Sequence, residues 1–69
     1  MSVSYNKLWK ILIDKGMKKT ELKEVAGIGS TTLSKLSKNK PVAMDVIMKI
    51  CKVLKCNVGD IMDIYSDGE

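Results

Sequence analysis

The stretch Lys19-Thr-Glu-Leu-Lys-Glu-Val-Ala-Gly27-Ile-Gly-Ser30-Thr-Thr-Leu-Ser-Lys-Leu36 decides the fold. Its first half predicts a short helix over Glu21 to Ala26. Thr20 is the expected N-cap, and Glu21 and Glu24 lie near the positive end of the helix dipole. Leu22, Val25 and Ala26 are expected to face inward. Gly27 supplies the positive φ of a tight turn at little steric cost, and Ile28 is the expected buried residue of that turn. A second helix is predicted over Ser30 to Lys38, capped by Gly29 or Ser30. Leu33 and Leu36 are three apart and turn inward. At about 100° per residue, the opposite direction is filled by Thr31, Lys35 and Lys38, with Ser34 at its edge. Two short helices across a glycine turn, the second polar and basic outside and leucine-lined inside, form the sequence pattern of a helix-turn-helix. That motif lays its second helix in the major groove of DNA.

Upstream, a helix is predicted over Ser4 to Lys15. Tyr5, Leu8 and Leu12 keep helical spacing with Ile11 beside them, while Trp9 and Ile13 widen the apolar stripe. Ser4 is a suitable N-cap and Gly16 a suitable stop. Trp9 is expected to be a partly buried core residue. Downstream, Asn39-Lys40-Pro41 breaks the chain, because proline disfavours a helical conformation at Lys40. A fourth helix follows over Ala43 to Leu54. Val46, Ile47, Ile50, Cys51, Val53 and Leu54 give it a wide apolar face, leaving Asp45, Lys49 and Lys52 in a narrow polar strip with Met48. A short fifth helix is predicted over Val58 to Ile64, capped by Asn57 with Asp60 near the same end and Ile61, Ile64 and Tyr65 apolar. No strand, repeat or linker is expected. The fold class is therefore all-α, five short helices in one domain over 1–69, with a core of about 4–65 and a frayed tail at 66–69.

Composition narrows the function. A chain of 69 residues has no room for a catalytic cleft beside a cofactor domain, and buries only about 60% of its unfolded surface. Its longest apolar run, Ile11-Leu12-Ile13, cannot span a membrane, and no signal peptide opens the chain, so a cytoplasmic location is expected. All 12 basic residues are lysines, and all lie in residues 1–55 beside four acids, a surplus of eight positive charges. Residues 56–69 carry four acids (Asp60, Asp63, Asp67, Glu69) and no lysine. A basic body with an acidic end suits a polyanionic partner. With no arginine, bidentate reading of guanine is unavailable. Cys51 and Cys56 are expected to be reduced, buried core thiols. Two cysteines do not make a disulfide scaffold, and without histidine they cannot complete a zinc site within one chain. No catalytic residue, metal ligand or cofactor is expected. Serine, lysine and aspartate occur with no nucleophile–base spacing.

Motifs along the whole chain resemble the Cro and phage-repressor-type (XRE-like) helix-turn-helix family, in particular its small stand-alone bacterial or phage members. The resemblance is carried by Tyr5-x-x-Leu8-Trp9-x-x-Leu12, by Thr20-x-Leu22, by Gly27-Ile28, and by the run from Ser30 to Leu36. It continues with Ile50-Cys51-x-x-Leu54-x-Cys56 and Gly59-Asp60-Ile61. It implies base contacts from Ser30, Thr31 and Lys35, secondary contacts from Thr32 and Ser34, and phosphate contacts from Lys19, Lys38 and Lys40. One departure is Lys23, at the fifth position of the motif, where a small residue is usual. Its stem is expected to lie along the surface with the amine in water.

These readings imply a DNA-binding transcriptional regulator, a repressor without a ligand-sensing domain, working as a homodimer on double-stranded DNA. The alternative from another class is a protein-interaction module, an adaptor or antitoxin, using the surface of the fourth and fifth helices of the same fold.

Overall fold

Left-handed residues end the helices. The computed structural model describes residues 2–66, and places α1 at Asn6–Lys15, α2 at Lys19–Ala26, α3 at Ser30–Ser37 and α4 at Met44–Leu54. After them, Gly16, Gly27, Asn39 and Lys55 have φ of 65°, 68°, 55° and 53°. Just beyond each, an amide bonds back to a carbonyl five residues earlier: Met17 to Leu12 at 2.8 Å, Ile28 to Lys23 at 3.1 Å, Lys40 to Lys35 at 2.9 Å and Cys56 to Cys51 at 3.1 Å. These closures satisfy orphan carbonyls and turn the chain sharply. The glycine stops were legible in the sequence. The one at Lys55 was not, since among non-glycine residues only asparagine and aspartate visit this conformation with any ease, and Asn39 is one of these.

The core is one cluster. Tyr5, Leu8 and Leu12 meet Leu22, Ala26, Ile28, Leu36, Ile47, Ile50, Leu54 and Ile61. Each such large aliphatic side chain contributes roughly 1.5–3 kcal/mol through its removal from water. Helix α2 packs on both α3 and α4, which fixes the helix-turn-helix on its support.

The strandless, five-helix expectation is corrected at the ends of the described chain. Val58–Asp60 is a single 3-10 turn, and Asp63–Tyr65 is a strand, β2. It pairs antiparallel with β1, Ser2–Ser4, in the register Ser2↔Tyr65, Val3↔Ile64, Ser4↔Asp63. The fold is thus four α-helices with a two-stranded sheet. A seven-residue helix containing Gly59 has little intrinsic stability, whereas pairing with β1 satisfies backbone groups of both segments. Asn57 does occupy the N-cap position, where its backbone N–H donates to Asp60 Oδ2 at 2.9 Å. Lys7 Nζ then ties α1 to this region through the Gly59 carbonyl and Asp63 Oδ1, both at 3.1 Å.

Smaller corrections follow the same logic. Ser4 belongs to β1, so α1 starts at Asn6, and Ser4 Oγ accepts from the Asn6 amide at 3.3 Å. Helix α2 starts at Lys19, and Thr20 is not its cap. The Lys18 amide is satisfied instead by Glu21 Oε1 at 3.1 Å. Helix α3 ends at Ser37 and α4 starts at Met44. Ile13 is 77% exposed and Val25 55% exposed, against expectation. Ile13 lies more than a quarter-turn from the Leu8–Leu12 stripe, and Val25 nearly as far from the direction shared by Leu22 and Ala26. Of the expected tail, 67–69 lie outside the described residues. No described helix is long and apolar enough to cross a membrane.

Candidate nucleic-acid interface

Leu36 is fully buried and Leu33 half-buried, which turns the opposite side of α3 outward. Ser30, Thr31, Ser34, Lys35 and Lys38 are all exposed there, while Thr32 is half-buried. Six of the eight side chains singled out from the sequence therefore share α3 and the turn that follows it, counting Ser30, Thr31, Thr32, Ser34, Lys35 and Lys38. No acidic residue stands in the first turn of α3. The exposed side is polar and cationic, the arrangement that attracts a polyanion.

The two remaining lysines flank it. Lys19, the first residue of α2, holds its amine 4.2 Å from the centre of the Trp9 ring and 3.5 Å from Ser37 Oγ. Trp9, half-buried as expected from the sequence, gives that amine a face to rest on and fixes it beside the end of α3. Lys40 follows the α3 turn, and its carbonyl oxygen accepts from the Tyr5 hydroxyl at 2.8 Å. The Tyr5 amide donates to Asn39 Oδ1 at 3.0 Å. One buried tyrosine at the head of α1 thereby anchors the loop carrying Lys38 and Lys40. Burial pushes the Tyr5 hydroxyl above its ordinary pKa, with the nearby Val42 backbone opposing.

Sequence reading missed these supports. Periodicity marked Tyr5 and Trp9 as apolar, and nothing local tells that their polar or π faces reach residues 10 to 35 positions away. It also missed a partner of the Lys23 amine, which remains solvent-exposed. Lys23 is half-buried, and its Nζ bonds Ser30 Oγ at 3.2 Å, linking α2 to the opening of α3.

Cys51 and Cys56 are free thiols, half-buried and not fully buried as expected. Burial, then the neighbouring Cys51 thiol and Asp60, push the Cys56 thiol above its ordinary pKa of 9.0, with Lys15 opposing. Among the described residues no group of three cysteine, histidine or acidic side chains could hold a metal ion.

A polar, lysine-flanked second helix packed on a first one that buries Leu22 and Ala26 defines a helix-turn-helix DNA-binding protein. Residues 7–67 match the Cro/C1-type HTH DNA-binding domain, and the chain belongs to that family of DNA-binding domains, which are not enzymes. It is 39% identical over 59 residues to the uncharacterized HTH-type transcriptional regulator YozG of Bacillus subtilis (strain 168), across 83% of this chain and 70% of that protein. The crystal structure of the transcriptional regulator VanUg, form II, is 48% identical and has a TM-score of 0.91, covering 96% of this chain and 88% of that one.

Proposed function

We propose that the protein is a sequence-specific transcriptional repressor of the cytoplasm, in which the whole chain acts as one domain and α3 enters the major groove of double-stranded DNA. Ser30, Thr31 and Lys35 meet base edges, Thr32 and Ser34 give secondary contacts, and Lys19, Lys38 and Lys40 hold phosphates. The observation that carries this reading is the outward side of α3, where Ser30, Thr31, Ser34, Lys35 and Lys38 are exposed together. Phosphate contacts position such a helix and base contacts give it specificity. Thr31 offers a hydroxyl, or a methyl to thymine, and Lys35 donates to guanine O6 or N7.

The active form is a two-fold dimer whose α3 helices lie about 34 Å apart, one turn of DNA. Ile61, an apolar residue of the expected fifth helix, is fully buried and so is not available to a dimer surface. Met44, Met48, Ile64 and Tyr65 are all exposed and supply apolar area in the C-terminal half. Selection of bound duplexes from a random pool tests both parts. A palindromic consensus with half-sites one turn apart is the expected result. Enrichment of no sequence removes the specific-reader role, and a single half-site bound by a protein that sediments as a monomer removes the dimer. In that second outcome the same four apolar side chains would serve a different protein partner.

A further inference from the structure

Lys23 stands at an unusual place for a charge. It lies in the middle of α2, on the helix that α3 packs against, and its side chain is half-buried. Its amine reaches across to Ser30 Oγ at 3.2 Å, the first residue of α3. No carboxylate among the described residues pairs with it, and the first turn of α3 offers none. The bond is solvent-exposed, so the amine keeps its charge in water with a neutral hydroxyl as its protein partner and stays open to an outside anion.

An ammonium has three donors and no acceptor, so in this pair Ser30 Oγ must accept. The Ser30 hydroxyl proton is then free to be donated outward, and two protons of the Lys23 amine are also free. In a helix-turn-helix complex the first helix crosses the DNA backbone while the second lies in the groove. An amine that leaves α2 and ends beside the opening residue of α3 falls at the border between the two.

We infer that Lys23 is a further DNA-contacting residue, whose amine bridges Ser30 Oγ and a backbone phosphate and so holds Ser30 as a hydrogen-bond donor toward the groove. This rests on the reading that α3 enters the groove. It also gives a use for the lysine that replaces the small residue usual at this position.

The test compares the full chain with Lys23→Met, Lys23→Arg, Ser30→Ala and Lys35→Ala, on the best duplex recovered from selection and on a mixed-sequence duplex, across a salt series. Lys23→Met keeps the apolar stem and removes the charge. It should lower the salt slope of log affinity by about 0.9, equivalent to about eightfold at 0.1 M salt, on both duplexes. Lys23→Arg should keep the slope. Ser30→Ala should keep the slope but narrow the gap between the two duplexes. If Lys23→Met lowers the melting temperature yet leaves slope and site preference unchanged while Lys35→Ala abolishes the preference, Lys23 is packing only and this inference is overturned alone. If Lys35→Ala also changes nothing, the reading by α3 has failed, and this inference with it.

Discussion

The hydroxyl of Tyr5 donates to the carbonyl oxygen of Lys40 at 2.8 Å, joining the head of α1 to the loop after α3. The contact is far in sequence and lies at the edge of the core, where Tyr5 is itself fully packed. It restrains the backbone from which Lys38 and Lys40 project. Tyr5→Phe should therefore do two things. It should destabilise the fold by about 1 kcal/mol, the usual net worth of one hydrogen bond. It should also weaken binding to all duplexes alike without changing site preference, because the lysines it steadies are assigned to phosphates. Urea denaturation and binding titrations on matched and mixed duplexes check the two effects.

Trp9 and Lys19 give a second case of support from a distance, with the amine 4.2 Å from the ring centre. Removing the charge and removing the support should be distinguishable. Lys19→Ala should reduce the salt slope by about one unit, since one phosphate contact disappears. Trp9→Leu keeps the charge but frees it, so affinity should fall while the slope stays. The cation–π contribution at such an exposed amine is about 0.5–1 kcal/mol. Equal slopes for Lys19→Ala and the unmodified chain would remove Lys19 from the phosphate contacts.

Much of this was legible in the sequence because helical periodicity is local. Leu22, Gly27, Ile28 and Leu36 announce the helix-turn-helix, and the outward placement of Thr31 and Lys35 follows from angles alone. What escaped depends on distant partners. Ser2–Ser4 is too short to read as a strand until Asp63–Tyr65 is seen beside it. Ile64, alone, fits a helix or a strand equally well. The Lys23–Ser30 bond escaped for another reason: a lysine at a helix joint reads as a solvated side chain unless its amine is located.

Lys55 closes α4 in the left-handed conformation with φ of 53°. A side chain there costs roughly 1–2 kcal/mol that glycine avoids. Lys55→Gly should thus raise stability by up to about 1 kcal/mol after glycine's extra unfolded-state entropy is subtracted. Thermal unfolding measures it. A lower melting temperature would mean that the Lys55 side chain contributes more than its backbone strain costs.

Alkaline pH should destabilise the protein in two stages. The Cys56 thiol is raised above 9.0 in the folded state, chiefly by burial and by Cys51. The unfolded chain then loses the Cys56 proton before the folded one does. The stability contributed is fully present below pH 9.0 and is lost as pH rises through the folded value. Tyr5, raised above 10.0 by burial, adds a later fall by the same sign. Cys56→Ala should flatten the first stage and leave the second, and Tyr5→Phe the reverse. DNA binding should survive in the Cys51→Ala, Cys56→Ala double variant. Loss of binding on that change, or on chelation of metal, would contradict the assignment of the thiols to the core.

The central claim is that the exposed side of α3 reads DNA. The most direct measurement is the affinity of Lys35→Ala and Thr31→Ala for the selected duplex against a mixed-sequence duplex at one salt concentration. Each change should cost roughly 1–3 kcal/mol on the selected duplex and far less on the mixed one. If both variants keep the affinity and the preference of the unmodified protein, α3 is not the reading element.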